Sequence, residues 1–290
     1  MSLARPLALL LAAAAASFPV QATAPPAGTD RANQAVLAAM AAAGDIPAQA
    51  RSLTALAWPA GKRDEAVAAS ARHELEGFGD HSIEALREAL NTVKPAYTAE
   101  VLTTTMGALR NARVELAGDG LATFIDALWI GSREAKTLAI NALASSPSPF
   151  AVQPMIDSAI DDPSLAPLVV ATLGRMRYPT SRFYLERVMM EGPADIRPVA
   201  ASSLSQIGGA ALGPLRNALK APGRETRLLA ARALLPSATE YDLGAIYEYL
   251  DQHGDDDAGV TLALKSSAAN IEKAIAARDA NAAAASPKDF

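Results

Sequence analysis

Two interleaved series of aliphatic residues recur along the chain with one shared period, and this constrains the fold more than any other feature. Leu75, Leu109, Leu143, Leu173, Leu204 and Leu234 follow one another at spacings of 34, 34, 30, 31 and 30 residues. Ile125, Ile156, Leu185, Leu215 and Ile246 follow at 31, 29, 30 and 31. A period of this length is that of a supersecondary unit which cannot bury its apolar face alone and must stack on its neighbours. Composition decides whether that unit is helical. The 290 residues include 67 alanines against only 24 Val plus Ile and 14 aromatics. Alanine is the strongest helix former, while strands favour β-branched and aromatic side chains. The two series therefore mark the first and second helices of repeated helix pairs.

Local signals agree with that reading. Helices are expected from Asp64 to about Gly77, Ser82 to about Val93, Pro95 to about Ala112, Asp119 to Ile130, and Ser132 to near Ser145. Pro149 or Pro154, Pro163, Pro179 and Pro193 fall near successive helix starts, where a missing N–H costs nothing. Gly131, Gly192, Gly208, Gly223 and Gly254 fall near expected ends, where glycine readily turns left-handed. Helices of this length joined by short loops form antiparallel pairs. The expected fold is all-α: a right-handed α-solenoid of about six antiparallel helix pairs over 64–252. Helical caps are expected at 30–63 and 253–285, and a disordered tail at 286–290.

The first 22 residues, MSLARPLALLLAAAAASFPVQA, carry one charge at Arg5, an apolar run from about Leu7 to Phe18, and small residues at Val20 and Ala22. These are the three parts of a secretory signal, with an apolar run too short to span a bilayer. Cleavage after Ala22 predicts a periplasmic or secreted protein beginning with a flexible linker at 23–29. No later stretch approaches 18 uninterrupted apolar residues, so no integral membrane span is expected in the mature chain. The absence of cysteine excludes disulfides, thiolate nucleophiles and zinc-thiolate or iron–sulfur centres.

The segment PADIRPVAASSLSQIGGAALGPLRNALK (193–220) resembles a HEAT repeat of the short, HEAT-like bacterial type, through Asp195, Ile196, Arg197, Ala201, Leu204, Ile207, Gly208, Leu215 and Leu219. The next unit, 223–252, is similar through Thr226, Arg227, Ala231, Leu234, Ile246 and Leu250. The units near 132–161 and 163–191 match more weakly and lack the hydrophobic-Arg pair. Tetratricopeptide repeats share the spacing of 34, but their Trp/Gly/Tyr/Pro signature is missing. The resemblance implies an interaction scaffold rather than an enzyme. A lyase activity attached to some HEAT-like proteins does not follow from repeat similarity alone.

Motifs for catalysis are few. Of the three histidines, His73, His81 and His253, His81 follows Asp80 at an expected helix start, and no second His or carboxylate stands at the H-x-x-x-H spacing of a metal site there. GDGLAT (118–123) opens a helix after a helix, which defeats a dinucleotide-binding reading. No nucleophile elbow or P-loop occurs, and nothing positive supports a Ser–His–Asp triad. Asp251 with Asp255, Asp256 and Asp257 lacks calcium-loop spacing and reads as a solvated loop capping the last helix. Trp58, Trp129, Tyr241, Tyr247 and Tyr249 read as core or inter-repeat packing. No catalytic residue, cofactor or metal site is predicted.

Charge is distributed unevenly. Residues 23–174 hold 11 basic and 17 acidic residues, residues 175–232 hold 10 and 4, and residues 233–290 hold 4 and 10. Arg182, Arg187, Arg216 and Lys220 fall on expected second helices of two successive pairs. They predict a cationic strip on the concave surface that receives an acidic segment of a protein partner. The competing reading pairs arginines with acids of neighbouring repeats, Glu186 and Glu191 being candidates. A nucleic-acid partner is not expected of an exported chain with a pI near 5.3. The function expected is that of a periplasmic protein–protein interaction scaffold, with an accessory or regulatory subunit of an enzyme or envelope assembly as the alternative and a lyase or hydrolase as a remote one.

Overall fold

The computed structural model describes the backbone of residues 29–285, with side chains from 30 to 281. The expected signal segment, nearly all of the linker and the tail at 286–290 lie outside the described residues. Fifteen α-helices, linked in places by 3-10 turns, make up the described chain, and no strand occurs in it. They begin with α1 (Thr29–Ala43), α2 (Ile46–Ala57), α3 (Glu65–Gly77), α4 (Ile83–Thr92) and α5 (Thr98–Ala112). Next come α6 (Gly118–Ile130), α7 (Arg133–Ser145), α8 (Val152–Asp161), α9 (Ala166–Met176) and α10 (Arg182–Glu191). The last five are α11 (Arg197–Ile207), α12 (Gly213–Ala218), α13 (Arg224–Leu234), α14 (Leu243–His253) and α15 (Ala258–Ala285).

The helix starts have recognisable causes. The Asp45 side chain accepts from Ala48 N–H at 2.9 Å, Asp64 accepts from Ala66 and Val67, and Ser132 accepts from Ala135. Each satisfies a donor that the first helical turn leaves free. Pro95, Pro149, Pro163 and Pro179 each open a 3-10 turn that runs into α5, α8, α9 and α10. Thr239 and Asp242 form a reciprocal capping box ahead of α14.

The helix ends correct the expectation for glycine. Of these five only Gly208 has a positive φ, 72°, while Gly131 and Gly192 are extended, Gly254 is right-handed and Gly223 caps the start of α13. Gly131 is small for a different reason: a Cβ there would lie 2.5 Å from the Ala127 carbonyl oxygen. The left-handed ends are taken instead by Arg113 and Arg177, at φ 55° and 57°, which close α5 and α9.

Packing follows two rows. Each odd-numbered helix lies against the next odd-numbered one, from α1 to α15. Even-numbered helices do the same from α2 to α8 and again from α12 to α14, while α8 meets the turn that leads into α10. All six residues of the first leucine series are buried on α3, α5, α7, α9, α11 and α13. On the even row the fully buried series is Phe124, Met155, Leu185, Leu215 and Ile246, so Ile125 and Ile156 sit one residue round from it. One contiguous apolar core runs from Val36 to Ala268. Small residues set its closest approaches. A Cβ on Gly174 of α9 would lie 2.6 Å from Ser203 Oγ on α11, and that hydroxyl donates to the Val170 carbonyl at 2.9 Å.

Candidate functional site

Ion pairs between successive helix pairs dominate the polar surface, and most run in one direction. A cation of one unit meets a carboxylate of the next: Arg87 with Asp119 and Asp126, Arg133 with Asp162, Arg216 with Asp242, and Arg227 with Asp256. Glu100 on α5 is the most heavily engaged. It accepts from Arg63 at 2.7 and 3.2 Å, from Arg72 at 2.7 Å and from the Trp58 indole N–H at 3.1 Å. Partial burial opposes its charge, but the hydrogen bonds from Arg63 and Trp58 and the charge of Arg72 hold its pKa below the usual glutamate value. Arg63, only 6% exposed, also stacks over Tyr97.

The four cations expected to form a strip are placed differently from one another. Arg216 donates to Asp242 at 2.7 Å, and Asp242 is fully buried. Lys220, in the turn after α12, meets Glu248 at 2.5 Å. Arg216 and Lys220 are therefore tied to the next unit, although not to Glu186 or Glu191. Arg182 donates to the Ala210 carbonyl and stacks on exposed Phe183, while Arg187 stacks 5.8 Å from the Tyr184 ring centre. Neither meets a carboxylate among the described residues.

The acidic loop after α14 is likewise occupied. Asp256 receives Arg227 through two hydrogen bonds of 2.7 and 2.9 Å and is also met by Arg224, and the Arg227 hydrogen bonds lower its pKa. Asp257 accepts from Val260 N–H at the start of α15 and pairs with Arg232. Among the described residues no group of three or more His, Asp or Glu side chains is placed to hold a metal ion. His81 lies 3.9 Å from Asp80 in a cavity of about 680 Å³, whose lining includes no Ser, Thr or Lys that could act as a nucleophile.

Aromatic placement corrects part of the sequence reading. Trp58 and Tyr249 are buried, and Tyr247 donates to Glu272 at 2.6 Å. Trp129 is 50% exposed and Tyr241 80%. Trp129 stands five residues after buried Phe124, and the same step from Met155 and Leu185 reaches Ile160 and Met190. These are 54% and 41% exposed. The even row thus presents one apolar residue at the same place on α6, α8 and α10. Beside Trp129, between α4 and α6, opens a groove of about 540 Å³ lined by Glu84, Arg87, Glu88, Asn91, Asp119, Asp126, Trp129 and Ile130. The sequence reading missed this groove. The signal for it was Glu84 and Glu88, spaced i,i+4 on one helix face, opposite an apolar helix end.

No family model matches this chain, and no curated protein does either. Nor is any helix among the described residues long and apolar enough to cross a membrane.

Proposed function

We propose that the protein is a non-catalytic scaffold of the HEAT-like kind, exported to the periplasm or medium, which binds a protein partner on the face formed by its even-numbered helices. The two-row packing supports a right-handed α-solenoid, with α1–α2 and α15 as its caps. Stacked pairs of this kind present one extended surface for binding. The observation that carries the reading is the exposed series Trp129, Ile160 and Met190. Large apolar side chains left in water at one place of three successive units are what an interaction face requires, whereas scattered exposed residues need no explanation.

Photo-crosslinkers installed at Ile160 and Met190, with controls at Arg110 and Glu225 on the odd row, test this in the native cell envelope. The scaffold reading predicts that one and the same partner is captured from both even-row positions and from neither control. Equal labelling at all four positions, or none anywhere, contradicts it. N-terminal sequencing of the native protein should begin at Thr23; material that begins at Met1 contradicts export.

A further inference from the structure

The apolar series has one end with a distinct chemistry. At Trp129 it runs into the α4–α6 groove, where four carboxylates (Glu84, Glu88, Asp119 and Asp126) face a single guanidinium, that of Arg87. Arg87 is already committed, at 2.8 Å to Asp126 and 3.2 Å to Asp119. No ion pair or hydrogen bond reaches the carboxylates of Glu84 and Glu88 within the described residues, and both are exposed. Like charges at i,i+4 on a helix repel, so this pair costs the free protein stability that a bound cation would restore. Trp129 stands half-exposed beside them, and a tryptophan face is the best aromatic partner for a Lys or Arg side chain. Ile130, also exposed, extends the apolar wall.

We propose that this groove receives a basic segment of the partner protein, with a Lys or Arg between Glu84 and Glu88 and over Trp129, and a neighbouring apolar side chain against Ile130. The proposal deepens the scaffold reading and rests on it. It also reverses the sign expected of the partner: the segment is cationic and docks on α4–α6, not acidic and docked on α10–α12. Burial of an apolar side chain supplies affinity, and the carboxylates supply orientation and the choice of charge.

The probe is a peptide of three Arg-Leu-Ala repeats, compared with its Glu-Leu-Ala counterpart and followed by tryptophan fluorescence of the full mature chain. The basic peptide should give a saturable change that the acidic peptide does not give and that the Trp129→Phe variant loses. Binding by calorimetry should weaken about tenfold in Glu84→Gln/Glu88→Gln and fall as salt rises. The melting temperature of that variant should not fall, since both side chains stand in water. Equal binding of both peptides, or unchanged binding by the double variant, overturns the proposal. So does sedimentation showing self-association that depends on Glu84 and Glu88, because the occupant would then be a second copy. If the peptides fail while Ile160 and Met190 still crosslink to one partner, the groove assignment falls and the scaffold stands.

Discussion

The α4–α6 region and the α12–α15 region use charge in opposite ways. From α12 onward, cations meet carboxylates of the following unit: Arg216 with Asp242, Lys220 with Glu248, Arg227 with Asp256 and Arg232 with Asp257. Between α4 and α6 the acids outnumber the bases, and Glu84 and Glu88 face an open groove. A charge-rich stretch of sequence is therefore no guide to free charge on the surface. The basic segment 175–232 precedes an acidic one, and the period of the fold lays one against the other. Pairs of this kind fix the register between units. Surplus charge beside exposed apolar side chains does not serve that purpose, and it is this charge that the proposed partner would meet.

The largest effects should come from the core that both regions share. Leu75→Ala and Leu204→Ala, at equivalent buried positions far apart in the chain, should each cost about 2–5 kcal/mol. Each should lower one common unfolding transition, followed by circular dichroism in denaturant. Two transitions, each sensitive to only one variant, would break the account into independent regions.

Glu100→Ala should cost less, about 1–3 kcal/mol, because it leaves the buried Arg63 without its main acceptor. Acid should act on the same contacts. Glu100 and Asp256 have lowered pKa values in the folded chain, so their contribution is present above the unfolded values, near 4.3 and 3.9. It is lost as pH falls through the lower folded values. A melting temperature that begins to fall only below about pH 4.3 is expected. Glu100→Gln should flatten part of that dependence, and an unchanged pH profile in that variant would contradict the assignment.

The smallest effect concerns Arg177, held left-handed at the end of α9. A left-handed L-residue carries roughly 1 kcal/mol of strain that glycine lacks. Arg177→Gly should therefore raise the unfolding midpoint slightly.

The leucine period and most helix starts were legible in the sequence because each rests on local chemistry: leucine spacing, Asp64 and Ser132 caps, and proline before a first turn. The exposed apolar series on the even row was not. Trp129 resembles a core residue by type, and only the buried series through Phe124, Met155 and Leu185 shows that it points outward. Arg216 lies on α12 but Lys220 lies in the turn beyond its end, and their carboxylate partners are 26 and 28 residues away on the next unit. Side chains 30 residues apart become neighbours only through the stacking itself. The glycine expectation held for place at Gly131, Gly192, Gly208 and Gly254 but not for conformation, because steric contact at Gly131 and positive φ at Gly208 leave the same letter in the sequence.

The contrast between the two regions is tested most directly by one paired measurement of melting temperature at neutral pH and low salt. Arg216→Glu/Lys220→Glu strips the buried Asp242 of its partner and sets like charges against Asp242 and Glu248, whereas Glu84→Lys/Glu88→Lys changes side chains that face the open groove. A clear fall for the first variant and none for the second is the predicted result. A fall of similar size in both, or a fall only in the second, would contradict the division of charge between holding the units together and meeting a partner.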